Sequence, residues 1–381
     1  MQSVNNPAES IVFVFLEVFE HEGGIQSYYK NLLTAYLSLE TLPSADVFIL
    51  RDSPKHQNPF GDDRLKFHYF KTSPTALGRL KLVLALVRHF LVAKPKRVFC
   101  GHINLAVMIQ TLCRLFSIPY TVLTHGKEVW GTLPGLTQQA FAQAESIWTV
   151  SRYTRDRTCA ANGIPPEKVR LLPCMVDSAQ FTPGEKSPIL VKKYGLAGSR
   201  VLMTVARLWK GDEYKGVDVT IEALPTIAQE FPTVKYLVIG RGDDQPRLMQ
   251  LAQDLGMDDR VIFAGFVSAE ELVAHYRLAD AYIMPSQEGF GIVYLEAMAC
   301  GVPVLSGDAD GAADPLLDGE LGWQVPHRNA AAVAAACIEI LQGTDQRCDP
   351  KWLRKTALAA FDQAAFTQQL NQLMQAELSI K

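Results

Sequence analysis

The sequence has no C-x-x-C pair among its seven cysteines, no apolar run of bilayer length and no excess of basic charge. Cys100, Cys113, Cys159, Cys174, Cys300, Cys337 and Cys348 are scattered, several of them inside apolar runs. That pattern argues against a zinc centre and for a reducing compartment. A spanning helix needs about 20 apolar residues, and the longest candidate, Leu82–Ala93, is broken by Arg88 and His89. A net charge of −3 carries no nucleic-acid signature. No basic segment precedes the first apolar run, Ile11–Leu16, and Glu17 and Glu20 follow it. The run therefore reads as a first strand rather than a secretory signal, and a cytoplasmic protein is expected. A G-x-G-x-x-G is missing after that strand, so a dinucleotide fingerprint is unsupported.

What is present is an alternation. Short apolar runs at Ile11–Leu16, Val47–Leu50, Arg97–Cys100, Tyr120–Leu123, Ile147–Val150 and Val169–Leu172 read as buried strands. A second set follows at Val201–Val205, Lys235–Ile239, Val261–Ala264 and Ala281–Met284, with another run starting at Val304. Helical periodicity lies between them, as at Ile25–Leu39, Leu105–Phe116, Val217–Glu230 and Ala330–Leu341. At 381 residues, 48% hydrophobic and 20% charged, the chain has material for two cores. The alternation predicts two doubly wound α/β domains. The polar stretch Asp177–Pro188 carries Pro183, Gly184 and Pro188 and reads as the hinge between residues 1–178 and 187–361; Ser53–Asp63 reads as a loop.

The most informative stretch is Ala281–Leu305, AYIMPSQEGFGIVYLEAMACGVPVL. It spells strand, glycine turn, helix, strand, with Gly301 and Pro303 as stop signals. A glycine turn at a helix N-terminus aims free N–H groups and the positive end of the helix dipole outward, which suits a phosphate. Glu288 on the turn and Glu296 in the helix frame it in an E-x7-E spacing; two Glu at that distance are common on any helix, so the spacing alone is weak. Elsewhere, His102 and Asn104 follow a strand, where ligands bind in open α/β folds, although a His there is more often a satisfied polar group. Ser151 reads first as an N-cap. Leu77–Ala93 mixes Arg79, Lys81, Arg88 and His89 with apolar residues and is followed by Lys94, Lys96 and Arg97. An ordinary helix packed on a sheet is preferred there over a basic amphipathic surface for anionic lipid. Asp243-Asp244 reads as a solvated turn rather than a metal site.

The segment EGFG, continued by EAMACGVPV, resembles the donor site of retaining glycosyltransferases of the GT-B fold, the large family 4 of group 1 glycosyltransferases. The resemblance covers nearly the whole chain and is most specific from Val201 to Pro326. It implies two Rossmann-like domains facing a cleft, with a last helix, about 362–381, crossing back to the first domain. It also implies transfer of a hexosyl group from a GDP- or UDP-sugar to a saccharide or lipid-linked hydroxyl, in polysaccharide or glycolipid synthesis. Glu288, Gly289, Phe290, Gly291, Ile292 and Val293 would hold the sugar and diphosphate, and Glu296 the ribose. Arg207 and Lys215 resemble the Arg and Lys that grip the leaving diphosphate. The loop between them is long, which leaves Lys210 as an alternative to Lys215. Preorganised cations suit a departing diphosphate, so no metal or other cofactor is expected to be essential. Gly240 and Gly242 would pass close to the nucleotide, and the turn at Val267 would meet the base. His125, in a Thr-His-Gly turn, resembles the family His that reaches the transferring sugar. Gly23 and Gly24 would face the cleft, Gly24 near the diphosphate and Gly23 with His102 on the acceptor side. The family's Pro-Asn-Gly is replaced by Pro173-Cys174-Met175, which leaves the role of that Asn without a residue.

Three rivals stay open on the residues alone. A glycosidase would also use two carboxylates, but would leave the Arg/Lys pair unexplained. A sugar-nucleotide epimerase can share the architecture, as can a non-catalytic nucleotide-sugar-binding protein. Donor sugar, nucleotide, acceptor and oligomeric state are not legible. A peripheral contact with the inner face of the cell membrane is the alternative that the basic helix leaves open.

Overall fold

The computed structural model describes residues 10–21, 23–308 and 310–379. Residues 1–9 and 380–381, at the ends of the expected domain ranges, lie outside the described residues. The chain divides into two compact units, Met1–Cys174 with Gln363–Lys381, and Met175–Asp362.

The first unit runs β1 (Ile11–Phe15), α1 (Gly24–Ser38), β2 (Ala45–Ile49), β3 (Leu65–Tyr69), α2 (Thr75–Ala93), β4 (Arg97–Cys100), α3 (Ala106–Phe116), β5 (Tyr120–Thr124), α4 (Gly135–Gln143), β6 (Ser146–Thr149), α5 (Arg152–Asn162) and β7 (Val169–Leu171). Its seven strands pair in parallel in the order β3-β2-β1-β4-β5-β6-β7. Every residue of β1 is buried, as a parallel strand covered on both faces requires. The edge strand β3 goes unread in the sequence because its LKFHY mixes exposed charge with half-buried rings. Ser151 is the expected cap: its Oγ accepts from Thr154 N at 3.1 Å.

Helix α2 packs on the sheet through Gly78, Leu82, Leu86 and Phe90. It also turns Leu80, Leu84, Leu91 and Val92 outward at 54%, 60%, 70% and 79% exposure. It is thus a sheet-packed helix, the reading preferred from the sequence, and it carries a second apolar stripe that is not buried.

The second unit runs α6 (Pro188–Lys193), β8 (Arg200–Val205), α7 (Val217–Glu230), β9 (Val234–Ile239), α8 (Gln245–Asp254), β10 (Val261–Gly265), α9 (Ala269–Tyr276), β11 (Ala281–Met284), α10 (Ile292–Ala299), β12 (Val304–Gly307), β13 (Trp323–Val325), α11 (Ala330–Gln342) and α12 (Pro350–Phe361). Its six parallel strands are ordered β10-β9-β8-β11-β12-β13. The stretch expected to be a hinge packs into this unit instead. Arg277 Nε donates to Thr182 O at 2.9 Å, Lys186 Nζ lies 3.0 Å from Asp280 Oδ1, and Arg354 donates to Ser178 O at 2.9 Å. The division of the chain therefore falls at 174/175 and 362/363, ahead of the polar run.

The last helix, α13 (Gln363–Ser379), belongs to the first unit. It packs on α1, with the Tyr28 and Phe366 rings 6.1 Å apart. Its Glu377 meets Arg97, at the head of β4, in a buried ion pair of 2.5 Å. In both sheets the strand order reverses once, between β1 and β4 and between β8 and β11. Ligands of open α/β sheets bind outside the carboxyl ends of the strands at such reversals.

Candidate active site

At the reversal of the second sheet, β8 delivers the loop Ala206–Lys215 and β11 delivers Pro285–Gly291. The turn before α7 closes on Gly216 at φ 73°, where a Cβ would stand 2.6 Å from Pro285 O. This close approach brings the two loops together. Gln287 N donates to Tyr214 O at 3.0 Å, and Lys215 Nζ donates to Glu288 Oε1 in an ion pair whose side chains are each 16% exposed. Burial lowers the Lys215 pKa, but the carboxylate of Glu288 and the ring of Tyr214 more than offset it, so the net shift is upward and the ammonium persists at neutral pH. Lys210 is exposed, and its backbone N–H is held by Asp243 Oδ1 at 2.9 Å. Of the two candidate lysines, Lys215 is the one beside Glu288. Arg207 projects into solvent at 59% exposure, 3.2 Å from Asp212 Oδ2 and 4.9 Å over the Trp209 ring.

The turn after Glu288 is fixed from the next loop. Glu288 N donates to Asp310 Oδ2, Gly311 N donates to Glu288 O at 2.9 Å, and Asp310 Oδ1 accepts from Ala312 N at 2.8 Å. Gly291, at φ 92°, caps α10. The first N–H groups of that helix, at Ile292 and Val293, have no preceding helical turn to bond. Gly289 and Gly291 precede them in the turn, on either side of Phe290. The Phe290 side chain is not at this surface. It is buried against Phe361, with ring centroids 5.9 Å apart, so only its backbone is available to a ligand. Glu296, on α10, accepts from Tyr276 Oη at 2.7 Å. Burial pushes its carboxyl up to about 7, against the pull of that hydrogen bond.

Gly240 and Gly242 have a packing role of their own. A Cβ on Gly240 would lie 1.8 Å from Ala206 O, and one on Gly242 1.9 Å from Leu208 O. They let the turn after β9 run against the backbone of the Arg207 loop. Arg241 between them stacks 4.9 Å over Phe266, which is 58% exposed, and the half-buried Val267 follows. The expectation that Asp243-Asp244 is solvated fails for Asp244. It is 4% exposed and binds Arg247 through two contacts of 2.7 Å. Asp218, also buried and unremarked in the sequence, holds Arg328 at 2.8 Å and Arg247 at 3.4 Å. Among the described residues no group of three or more His, Cys, Asp or Glu is placed to hold a metal ion.

In the first unit, Gly23 and Gly24 start α1 after β1, His102 follows β4 and His125 follows β5. His125 Nε2 lies 3.0 Å from Tyr29 Oη and 3.2 Å from Gly101 O. The Tyr29 hydroxyl already donates to Gly101 O, so Nε2 carries the proton and Nδ1 is the acceptor nitrogen of the neutral ring. Burial lowers the His125 pKa, with Glu128 and the Gly101 carbonyl pulling the other way. Glu128, missed in the sequence, accepts the N–H groups of His125 and Gly126, the latter at 3.1 Å. His102 caps its own turn, Nδ1 accepting from Asn104 N at 3.1 Å. Its pKa is lowered by burial, with Glu128 raising it and His125 lowering it further, so both histidines feel the same carboxylate.

The family described as "Glycosyl transferases group 1" matches residues 199–343. The chain is 37% identical over 232 residues to a GDP-mannose-dependent alpha-(1-6)-phosphatidylinositol monomannoside mannosyltransferase of Mycolicibacterium smegmatis, a match of 57% of this chain and 59% of that one. The chain thus spans about three fifths of the length of this relative. It is 31% identical over 275 residues to a GDP-mannose-dependent monoacylated alpha-(1-6)-phosphatidylinositol monomannoside mannosyltransferase of Corynebacterium glutamicum, covering 68% of each chain. The fold is similar to that of HepE from Anabaena in complex with UDP, with a TM-score of 0.78, 20% identity and 96% of this chain and 100% of that chain covered. A likeness that distant speaks for fold. The chain, two Rossmann-like α/β units of the GT-B kind, belongs to the group 1 glycosyltransferases.

Proposed function

We propose that this chain transfers a hexosyl group from a nucleoside-diphosphate sugar to a hydroxyl of a saccharide or lipid-linked acceptor, with retention of anomeric configuration. The reading rests chiefly on the Lys215–Glu288 pair at the strand-order reversal of the second sheet, with Arg207 exposed on the same loop. Arg207 and Lys215 stabilise the charge that grows on the departing diphosphate, helped by Gly289, Gly291 and the N-terminus of α10 at Ile292 and Val293. Glu288 holds the sugar, and Glu296 takes the ribose hydroxyls. The acceptor oxygen attacks the anomeric carbon from the face the diphosphate leaves. A phosphate oxygen of the leaving group takes the acceptor proton, and the C1–O bond to phosphate breaks. No metal is required, because the cations of the loop do that work.

GDP-mannose is the donor to test first, since the relatives compared are GDP-mannose-dependent. A lipid-linked acceptor is supported by α2. Leu77, Leu80, Leu84 and Leu91 are exposed on it beside Arg79, Lys81 and Arg88. An apolar stripe between cations suits an anionic membrane surface. Among the described residues no helix is long and apolar enough to cross a membrane. We place the protein in the cytoplasm, docked peripherally on the inner face of the membrane, in glycolipid or polysaccharide synthesis. The test is a thermal-shift titration with GDP, UDP, ADP and their sugars, followed by product analysis with and without acceptor. Stabilisation by one nucleotide class supports the reading; no shift with any of them overturns it.

A further inference from the structure

Asp310 lies in the turn after β12, twenty-two residues beyond Glu288. It is 3% exposed. Its Oδ1 caps the short turn that follows by accepting from Ala312 N at 2.8 Å. A local cap needs nothing more. Yet Oδ2 reaches across to accept from Glu288 N, and Gly311 N returns a bond to Glu288 O at 2.9 Å. Both backbone polar groups of Glu288 are thus held by two consecutive residues of another loop. The contact is close enough that a Cβ on Gly311 would stand 2.0 Å from Gly289 O. With its main chain held on both sides, Glu288 directs its carboxylate to Lys215.

We propose that Asp310 is the positioning residue for Glu288, setting where that carboxylate and the glycine turn behind it meet the sugar of the donor. The inference rests on the proposed function, in which Glu288 touches the sugar and Lys215 the diphosphate. Only an ionised carboxylate can accept both N–H groups well. The charged groups around it are Glu288 and Lys215: burial and Glu288 push the Asp310 carboxyl up to about 7, and the two N–H donors and Lys215 pull it back. Asn at this position can accept only one of the two N–H groups and points a donor at the other.

The consequence is a split between chemistry and nucleotide binding. A group that fixes Glu288 alone affects the sugar, while GDP without a sugar depends on Arg207, Lys215 and the start of α10. Misplacing a positioning carboxylate by about 1 Å costs on the order of 100-fold in rate. The experiment compares wild type, Asp310→Asn and Asp310→Ser in two assays on the full chain: GDP affinity by calorimetry, and kcat for transfer from GDP-mannose with the acceptor found by screening. Asp310→Ser keeps one acceptor oxygen and serves if the Asn variant does not fold. The expected result is a kcat lowered about 30-fold or more, with GDP affinity within about 3-fold of wild type. A kcat close to wild type overturns the proposal. So does a loss of GDP affinity in step with the loss of kcat, which would mark Asp310 as a general support of the site. A wild-type protein that binds neither GDP nor UDP refutes the proposed function instead, and is read from the calorimetry alone.

Discussion

Replacing Glu377 by Ala should destabilise the first unit by about 4 kcal/mol, within the range for breaking a buried ion pair. Arg97 is 1% exposed and Glu377 5%. The carboxylate receives Arg97 at 2.5 Å and Thr121 Oγ1 at 3.1 Å on Oε2, and Trp148 Nε1 at 3.1 Å with Ser146 Oγ on Oε1. Truncation removes all four contacts. The guanidinium keeps three contacts: Nε and NH2 donate to the Glu377 carbonyl at 3.2 and 2.8 Å, and NH1 donates to Thr121 Oγ1 at 3.2 Å. The Thr121 and Ser146 hydroxyls can pair with each other across 3.1 Å. What remains is a buried cation without its counter-ion and an indole N–H without an acceptor, the latter costing about 1–3 kcal/mol.

The assay is urea denaturation of wild type, Glu377→Ala, Arg97→Met and the double variant Arg97→Met/Glu377→Leu, with amide exchange in β4–β6 isolating the first unit. The double variant should recover most of the loss, since a well-packed apolar pair replaces a buried ion pair at little cost. A loss under about 1 kcal/mol in Glu377→Ala, or a double variant no better than the single, would refute the account.

Lys215→Ala and Glu288→Ala should each lose at least about 100-fold in transfer while the thermal midpoint of the unliganded protein shows the fold intact; near-normal turnover in both would remove these residues from the site. Glu296 has a carboxyl raised to about 7 by burial. The folded state therefore favours its neutral form, and the stability this group contributes at low pH is lost as pH rises from its ordinary value through about 7. Glu296→Gln should then be more stable than wild type at pH 8 and not at pH 4, measured by paired melting curves. A charge introduced by Leu84→Asp or Leu91→Asp should abolish co-sedimentation with vesicles rich in anionic lipid, and Arg88→Glu should weaken it at least about fivefold. Wild type that stays in the supernatant would remove the membrane contact.

The sequence carried the α/β alternation because parallel strands covered on both faces must be continuous apolar runs, as in β1 and β11. It failed at β3, an edge strand whose Lys66 and His68 break the run, and at the polar stretch 177–188, where the Lys186–Asp280 ion pair and a hydrogen bond from Arg354 to the Ser178 carbonyl hold what composition describes as a hinge. The glycine turn after Glu288 was legible because turn, helix start and carboxylate are neighbours in the chain. Asp310 and Glu128 were not. Asp310 acts on a backbone N–H twenty-two positions away, and Glu128, only three residues from His125, acts on N–H groups that leave no side-chain pattern. Phe290 reads as a site residue from its place in EGFG, yet its ring turns inward, because the period of a turn does not say which face is buried.

Around the carboxyl edge of the second sheet, adjacent loops touch main chain to main chain at Gly216, Gly240, Gly242 and Gly311. A saturation library at these four positions should return glycine alone, because no rotamer choice relieves a carbonyl oxygen within 3 Å of a Cβ. The freedom to change what docks there is left to the side chains that project from this scaffold, above all Trp209, Arg241 and Phe266. Such a surface can diverge quickly in preference at a few positions while its framework tolerates almost no change.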